Sequence, residues 1–358
     1  MSPESKALDR SADVSSCLLE ERARHNAELA KLHIGPLWEI YRKVLTREPV
    51  LREVPYLWAW SAVRPQLLRA GELITAAEAE RRALMLLNPG NQQGIGATAT
   101  LYAAAQLILP GEIARCHRHS PAALRFIIEG QGAYTCVEGE KVVMSPGDLV
   151  LTPSMVWHDH GNETGGPVMW LDGLDIPLMD SLRYMFLEEF ASEAQPQTKP
   201  ARYSEKLYGH ALFPSIAGPA AANSYSPVWS YRWEAAREAL ESLRRSGDPD
   251  PFDAYALRYV NPANGGETFP TMGCRLQLIP KGVRTRARRH TSSSVYHVAE
   301  GSGYSILNGE RFEWRKGDTF AVPIWLWQEH AAAEDAVLFS FTDEPVMRQL
   351  GLLRSEER

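Results

Sequence analysis

Two textures alternate along the chain. Between residues 17 and 47, apolar side chains recur every three or four positions (Leu18, Leu19, Leu29, Leu32, Ile34) among many Glu, Arg and Lys, which predicts helix. Residues 75–87, TAAEAERRALMLL, read as a second helix, opened by Thr75 and closed before Asn88-Pro89-Gly90. After Gly96 the rhythm changes. Short apolar runs alternate with Gly and Pro turns: AAAQLIL before PGE, LRFIIEG before QG, KVVM before SPGD, then LVLTP. That is the rhythm of an antiparallel sandwich or barrel. It ends near Pro177. Residues 178–250 return to helix and loop, with a polar, Pro-rich stretch at 195–200 and a helix over 233–246 (WEAAREALESLRRS). From Ala254 the β rhythm resumes and runs to about Phe341. Residues 344–358 predict a short helix with a charged end.

The two β segments are copies of one another. QLILPGEIARCHRHSPAALRFIIEGQG (106–132) lies over QLIPKGVRTRARRHTSSSVYHVAEGSG (277–303) without a gap, and PGDLVLTPSMVWHDH (146–160) lies over KGDTFAVPIWLWQEH (316–330). Matched glycines include Gly111/Gly282, Gly130/Gly301, Gly132/Gly303 and Gly147/Gly317. One β domain is therefore present twice. The expected organisation is a helical N-terminal arm (1–95), a first β domain (96–177), a helical and loop linker (178–250), a second β domain (251–343) and a tail (344–358).

Composition narrows the function classes. The 358 residues suffice for two domains, and the formal net charge of -6 gives no reason to expect nucleic acid or an anionic membrane as partner. No apolar run reaches the length of a membrane-spanning helix, and the polar N-terminus lacks the layout of a signal peptide. The default location is the cytoplasm. Cys17, Cys116, Cys136 and Cys274 form no CxxC pair and read as free thiols in a reducing compartment.

Of ten histidines, four fall in two short clusters, His117/His119 and His158/His160. Residues i and i+2 of a strand point to the same face, so His117 and His119 form a ready pair of metal ligands. His158, in a second turn-bounded strand after Pro153, supplies a third. Surface histidines beside a sheet are the bland alternative, but two clusters inside strand patterns argue against it. The second copy is an internal control. Arg288 stands where His117 should be and Gln328 where His158 should be, so only His290 and His330 remain. Arginine stays protonated and cannot ligate a metal. The second domain therefore reads as metal-free.

Here the chain resembles the cupins. Gly111-x5-His117-x-His119-x3-Ala123-x6-Gly130 is similar to the first cupin motif, and Gly147-x5-Pro153-x4-His158-x3-Asn162 to the second. Two positions depart: Ala123 replaces the usual acidic ligand, and Met155 replaces the usual glycine. The first leaves three neutral imidazoles and open coordination positions, which suits an anionic chelating substrate plus O2. The strings HRHSPAALRFIIEG, WHDHGN and ARRHTSSSVYHVAEG, with the doubled architecture and helical arm, resemble the gentisate 1,2-dioxygenase family, which includes salicylate and 1-hydroxy-2-naphthoate dioxygenases. The resemblance spans residues 30–345. It implies a mainly β fold of two cupin (jelly-roll) barrels with a helical arm and linker. It also implies one Fe(II) per chain at His117, His119 and His158, a small aromatic hydroxy-acid substrate with O2, and a homotetramer. Gentisate is the first expected substrate. Salicylate, a substituted salicylate or 1-hydroxy-2-naphthoate are the alternatives.

Further candidates surround the triad. Arg125, inside the apolar run ALRFII at i+6 from His119, is expected on the same face, ready to grip a carboxylate. Tyr102 and Gln106 share strand parity and are expected to face the barrel interior, although Gln106 has a counterpart, Gln277, in the other copy. The resemblance suggests that Arg81, rather than Arg82, reaches the pocket. His160 shares the face of His158 but is retained as His330 in the metal-free copy, which points to hydrogen bonding or proton transfer rather than ligation. Asp172 is a candidate to orient His160 or Arg125. Trp157 and Trp170 are expected in the core or pocket wall, and Ala83, Ala103, Ala104 and Ala105 to leave room near the site. Two other classes stay open: a non-catalytic ligand-binding or storage bicupin, and a cupin isomerase or hydrolase using another metal.

Overall fold

The computed structural model describes residues 16–91, 94–209 and 224–358. Met1–Val50 and Leu51–Arg358 form two compact units. The first holds α1 (Ser16–Lys31) and α2 (Leu37–Val44). The single helix expected over 17–47 is thus two: α1 ends in a turn with His33 left-handed (φ +56) and the Ile34 N–H on the Leu29 carbonyl, and α2 starts after Pro36. No described side chain of this unit is buried.

In the second unit the chain runs through β1 (Tyr56–Trp58), α3 (Trp60–Leu73), α4 (Ala76–Ala79), β2 (Ala83–Met85), β3 (Tyr102–Ile108), β4 (Ile113–His119), β5 (Ala123–Glu129), β6 (Tyr134–Val137), β7 (Glu140–Val143), β8 (Leu149–Thr152), β9 (His158–Gly161), β10 (Val168–Leu174), α5 (Ile176–Ser181), β11 (Leu187–Glu189) and α6 (Tyr203–Tyr208). It continues through β12 (Ser230–Tyr231), α7 (Trp233–Ser246), β13 (Tyr255–Tyr259), β14 (Gly273–Ile279), β15 (Arg288–His290), β16 (Ser294–Glu300), β17 (Ser302–Leu307), β18 (Glu310–Arg315), β19 (Thr319–Val322), β20 (Gln328–Ala332), β21 (Ala336–Thr342), α8 (Glu344–Gln349) and β22 (Ser355–Glu357).

Each barrel is two facing antiparallel sheets. The first pairs β12-β8-β5-β10-β3-β2 with β11-β4-β9-β6-β7. The second pairs β1-β19-β16-β21-β14-β13 with β18-β17-β20-β15-β22. Residues 51–95, expected as part of a helical arm, thus contain a strand of each barrel. The helix expected over 75–87 is confined to Ala76–Ala79. Thr75 and Glu78 form the capping box, but the chain beyond Glu80 turns away and pairs with β3 as β2, so tertiary pairing overrides helix propensity. The tail begins as the expected helix but ends in a strand, β22.

The long sheets are buried on both faces, which is why β5 and β10 read as near-continuous apolar runs. Directly paired residues share a face. Inside the first barrel, Ile108, Ile127, Val150, Val168 and Trp170 close the lower interior. On the outer face, Leu124, Phe126, Leu149 and Leu171 pack with Val295, Val337, Phe339 and Phe341 of the second barrel. The Phe126 and Phe339 rings stack across this junction, centroids 4.2 Å apart and 11° from parallel. Gly130 and Gly301 both hold φ +78, and a Cβ at either would lie 2.3 Å from a carbonyl oxygen, so the matched turns need glycine. Cys116, Cys136 and Cys274 are free and buried, while Cys17 lies outside the described side chains. No helix among the described residues is long and apolar enough to cross a membrane.

Candidate active site

His117 and His119 end β4, and His158 begins β9, the strand beside it. The register explains how they meet. Ala114 pairs with His160 and His117 with His158, so β4 carries one extra residue between these pairs. A bulge of this kind re-aims side chains. Without it, residues 114 and 117 would face opposite sides. With it, all four histidines of the two clusters turn inward.

The three rings surround one point. Their centroids are 4.7, 4.9 and 5.1 Å apart, and their ligand atoms lie within 4.8 Å of one another. His119 Nδ1–H donates to the Pro121 carbonyl at 2.8 Å, and His158 Nδ1–H to the Val156 carbonyl at 2.9 Å. A carbonyl can only accept, so both rings are protonated at Nδ1 and present the Nε2 lone pair to the centre. The Nε2 atoms of His117 and His158 are 3.1 Å apart. Metal–imidazole bonds of about 2.0–2.1 Å would place one ion between nitrogens at that spacing. Burial, with the Arg81 and Arg125 charges nearby, pushes His117 down to about 2 and His119 to about 4, and holds His158 well below its usual value. Protons do not compete for these lone pairs near neutral pH. The donor set fits a divalent metal.

Behind the triad stand groups with spare capacity. His160 is fully buried, its Nδ1 2.8 Å from Thr135 Oγ1 and its Nε2 without a partner. Arg125 is buried too. Its Nη1–H donates to Thr152 Oγ1 at 2.8 Å, while its Nε lies 3.5 Å from Asp172 Oδ1 and makes no hydrogen bond. Burial raises Asp172 to about 6 against the pull of Arg125. Asp172 therefore faces Arg125, its register partner, and also accepts from Trp170 Nε1–H at 2.9 Å. Arg81 Nη2 is 3.1 Å from both His117 ring nitrogens and donates to the Arg115 carbonyl. Arg82 points elsewhere, in a bidentate pair with Glu112. Gln106 pairs with Trp170 and Tyr102 with Leu174, on the face that Asp172 shares.

Several expectations need correction. Arg125 and His119 do not share a strand: the chain breaks at 120–122, and Arg125 enters from the opposite sheet. Of the alanines, Ala83 and Ala104 lie on the interior face, paired with Gln106 and Asp172, whereas Ala103 and Ala105 pack in outer clusters. Trp170 is core, as expected, but Trp157 lies on the outside of its sheet, under Arg118 and against Phe190. Thr135 and Thr152 join the site without a sequence signal beyond their place in strands beside the clusters. Met155 shows why glycine is usual there: it holds φ +58, and its N–H ties the turn to the His119 carbonyl.

The second barrel has no such centre. Gln328 Nε2 lies 2.8 Å from His290 Nε2, occupying that lone pair, and Arg288 forms a bidentate pair with Asp253. Among the described residues, the first-barrel triad is the only group of this kind.

Comparison with known proteins agrees with this geometry. The model of the cupin domain matches residues 105–174. Gentisate 1,2-dioxygenase 1 of Aquipseudomonas alcaligenes is 40% identical over 335 residues, 94% of this chain and 96% of that one. The chain belongs to the gentisate 1,2-dioxygenase family. As a member it is a dioxygenase of two cupin barrels. A 5-aminosalicylate 1,2-dioxygenase of Comamonas is also 40% identical, over 92% of this chain and 88% of that one. The salicylate 1,2-dioxygenase of Pseudoaminobacter salicylatoxidans, solved with gentisate, superposes with a TM-score of 0.89 at 33% identity, covering 100% of this chain and 98% of that one. Membership of a cupin dioxygenase family and the imidazole cluster together imply a bound metal ion.

The buried imidazoles give this dioxygenase a defined acid response. His117, His119, His158, His160, His290, His297 and His330 are all held below their usual value, chiefly by burial. Below about pH 6.5 the unfolded chain protonates these rings and the folded chain does not, so stability falls as pH drops. Six buried carboxylates oppose the trend, Asp172 and Asp175, raised to about 6, with Glu140, Asp148, Asp159 and Asp343, also raised by burial, but the seven rings outnumber them. The melting temperature of chelator-treated protein is expected to fall steadily from pH 7 to pH 5. A flat or rising profile would contradict these assignments.

Proposed function

We propose that the chain holds one iron(II) at His117, His119 and His158 and cleaves gentisate between its carboxylate-bearing and adjacent hydroxyl-bearing carbons, adding both atoms of O2 to give maleylpyruvate. The observation that carries this reading is the convergence of three neutral imidazoles beside buried groups with unused hydrogen-bonding capacity, Arg125 Nε and His160 Nε2. An iron(II) held by His117, His119 and His158 would supply Lewis-acid binding of the substrate oxygens and electron transfer between the aromatic ring and O2.

The protein's own groups have distinct parts. Arg125, with Arg81 across the pocket, grips the substrate carboxylate, and Asp172 and Thr152 hold the Arg125 guanidinium in place. His160 is neutral, and with the Thr135 hydroxyl hydrogen directed at the Met144 sulfur its Nδ1–H donates to Thr135 Oγ1, which leaves Nε2 free to accept the substrate hydroxyl proton and return it. Tyr102 and Gln106 line the ring site from β3, where Ala83 and Ala104 leave room for a ring substituent. The gentisate held by the superposed salicylate enzyme and the identity to a gentisate dioxygenase support this substrate. The equally similar 5-aminosalicylate enzyme favours a substituted salicylate as second reading. Buried free thiols fit a cytoplasmic setting, and the exposed Leu37, Trp38, Ile40, Tyr41 and Val44 of α2 fit a homotetramer in which other subunits cover them.

Oxygen-electrode kinetics on anaerobically reconstituted protein test the reading with gentisate, salicylate, 5-aminosalicylate and 1-hydroxy-2-naphthoate. Gentisate is expected to show the highest kcat/KM. Turnover of gentisate far below another acid would overturn the substrate, and no O2 uptake with any would overturn the reaction. Arg125→Met is expected to lower kcat/KM by about 100-fold or more while iron content stays unchanged, as for loss of a charged anchor in a buried site. A loss under threefold would remove Arg125 from the substrate site.

A further inference from the structure

The two halves repeat beyond the strands that carry the histidines. YLWAWSAVRPQLLRAGEL (56–73) lies over WSYRWEAAREALESLRRS (229–246), matching Trp60 to Trp233, Arg64 to Arg237 and Leu67 to Leu240. At the other end IPLMDSLRYMFLEEF (176–190) lies over EPVMRQLGLLRSEER (344–358) without a gap. The repeat unit is therefore a whole half-molecule, from the strand before α3 or α7 to the strand β11 or β22.

The matched pieces are exchanged. β1 of the first half pairs with β19 of the second barrel, Leu57 opposite Phe320, and β12 of the second half pairs with β8 of the first, Ser230 opposite Val150. Trp60 N–H donates to Asp318 at 2.8 Å, and Trp233 N–H to Asp148 at 2.9 Å. Each indole lies on the left-handed glycine of the other barrel, Gly317 (φ +93) and Gly147 (φ +86), so closely that a Cβ there would come within 2.7 and 2.4 Å of the ring. The helix bodies nevertheless stay on their own barrels, through Arg64–Glu129 and Arg237–Glu300. A second exchange occurs beside α5 and α8. Asp175 accepts the Ala122 N–H of its own barrel and the Thr271 hydroxyl of the other half; Asp343 accepts the Ser293 N–H and the Thr100 hydroxyl.

We propose that each half of Leu51–Arg358 is the docking partner of the other, in a reciprocal strand exchange, and that the metal-free half serves the reaction by clamping the metal barrel. The clamp meets the active site at two points. β12 pairs with β8, which carries the Thr152 hydroxyl that holds Arg125. Thr271, through Asp175, holds Ala122, the neighbour of the Pro121 carbonyl that orients His119. The functional weight of these contacts rests on the roles proposed above for His119 and Arg125. Thr271 and Asp175 are positioning residues: they act through the turn that carries the metal ligand's partner.

The test uses the full-length, metal-loaded protein with a protease recognition sequence placed within residues 210–223, cut after folding. The two pieces are expected to stay together through size-exclusion chromatography with metal retained. In urea they are expected to separate at the same midpoint at which metal is lost. Thr271→Val and Asp318→Ala are each expected to lower both midpoints together, and Thr271→Ser to restore the first. Separation of the pieces without denaturant would overturn the proposal, as would a first piece that keeps its metal after the second is removed, or a Thr271→Val protein whose metal-loss midpoint does not move. Metal content is read independently of turnover, so a wrong substrate leaves this test intact.

Discussion

Everything in this protein turns on keeping three imidazoles neutral and aimed at one point inside a barrel, next to two guanidinium groups. Burial and those positive charges both disfavour protonation of the rings. The same conditions would make an isolated cation in the pocket costly, and they suit a site whose ligand, the substrate, brings negative charge. The absence of a carboxylate at Ala123 extends the logic. A divalent ion on neutral ligands keeps its full charge, and an anionic chelator then completes the balance. The Pro121 and Val156 carbonyls set which nitrogen faces inward, and the β4 bulge sets which side the rings take.

The second barrel shows how little separates a working site from a closed one. It keeps the scaffold, the turn glycines and the His290 and His330 positions. Arg288 and Gln328 then fill the space and the lone pair that an ion would need, with Asp253 neutralising the guanidinium. Its Ser305 hydroxyl still meets His330 at 2.7 Å, as Thr135 meets His160. That His–hydroxyl pair is therefore part of the scaffold of both barrels, and only in the first barrel does it stand beside an imidazole triad. The same comparison gives the second barrel its use: it shares the apolar junction around Phe126 and Phe339 and the exchanged strands, so the metal barrel is not built alone.

Much of this was legible in the sequence because strand parity and spacing are local. The HRH and HDH clusters, the turn glycines and the repeat over 106–160 and 277–330 are read directly from residue order. What lay hidden was set by tertiary pairing. The extra residue in β4 has no sequence mark. The break at 120–122 moved Arg125 to the other sheet, where it still points inward, so the expected place was reached for a wrong reason. Residues 83–85 carry helix-forming side chains yet pair with β3, and Ala103 and Ala105 differ from Ala104 only in strand parity. Thr152 and Thr135 went unnoticed because a hydroxyl in a strand looks like ordinary β-propensity until its partner is placed. The longer repeat, through Trp60/Trp233 and the last fifteen residues, is carried by few identical side chains, so strand pairing marks it more clearly than residue order does.

The central claim is that one metal ion binds in the first barrel and none in the second. Iron content per chain after anaerobic reconstitution and desalting measures it most directly, compared among the natural protein, His158→Ala and His290→Ala. The account predicts one iron per chain in the natural protein and in His290→Ala, and essentially none in His158→Ala. Iron retained by His158→Ala, or lost from His290→Ala while the fold persists, would contradict it.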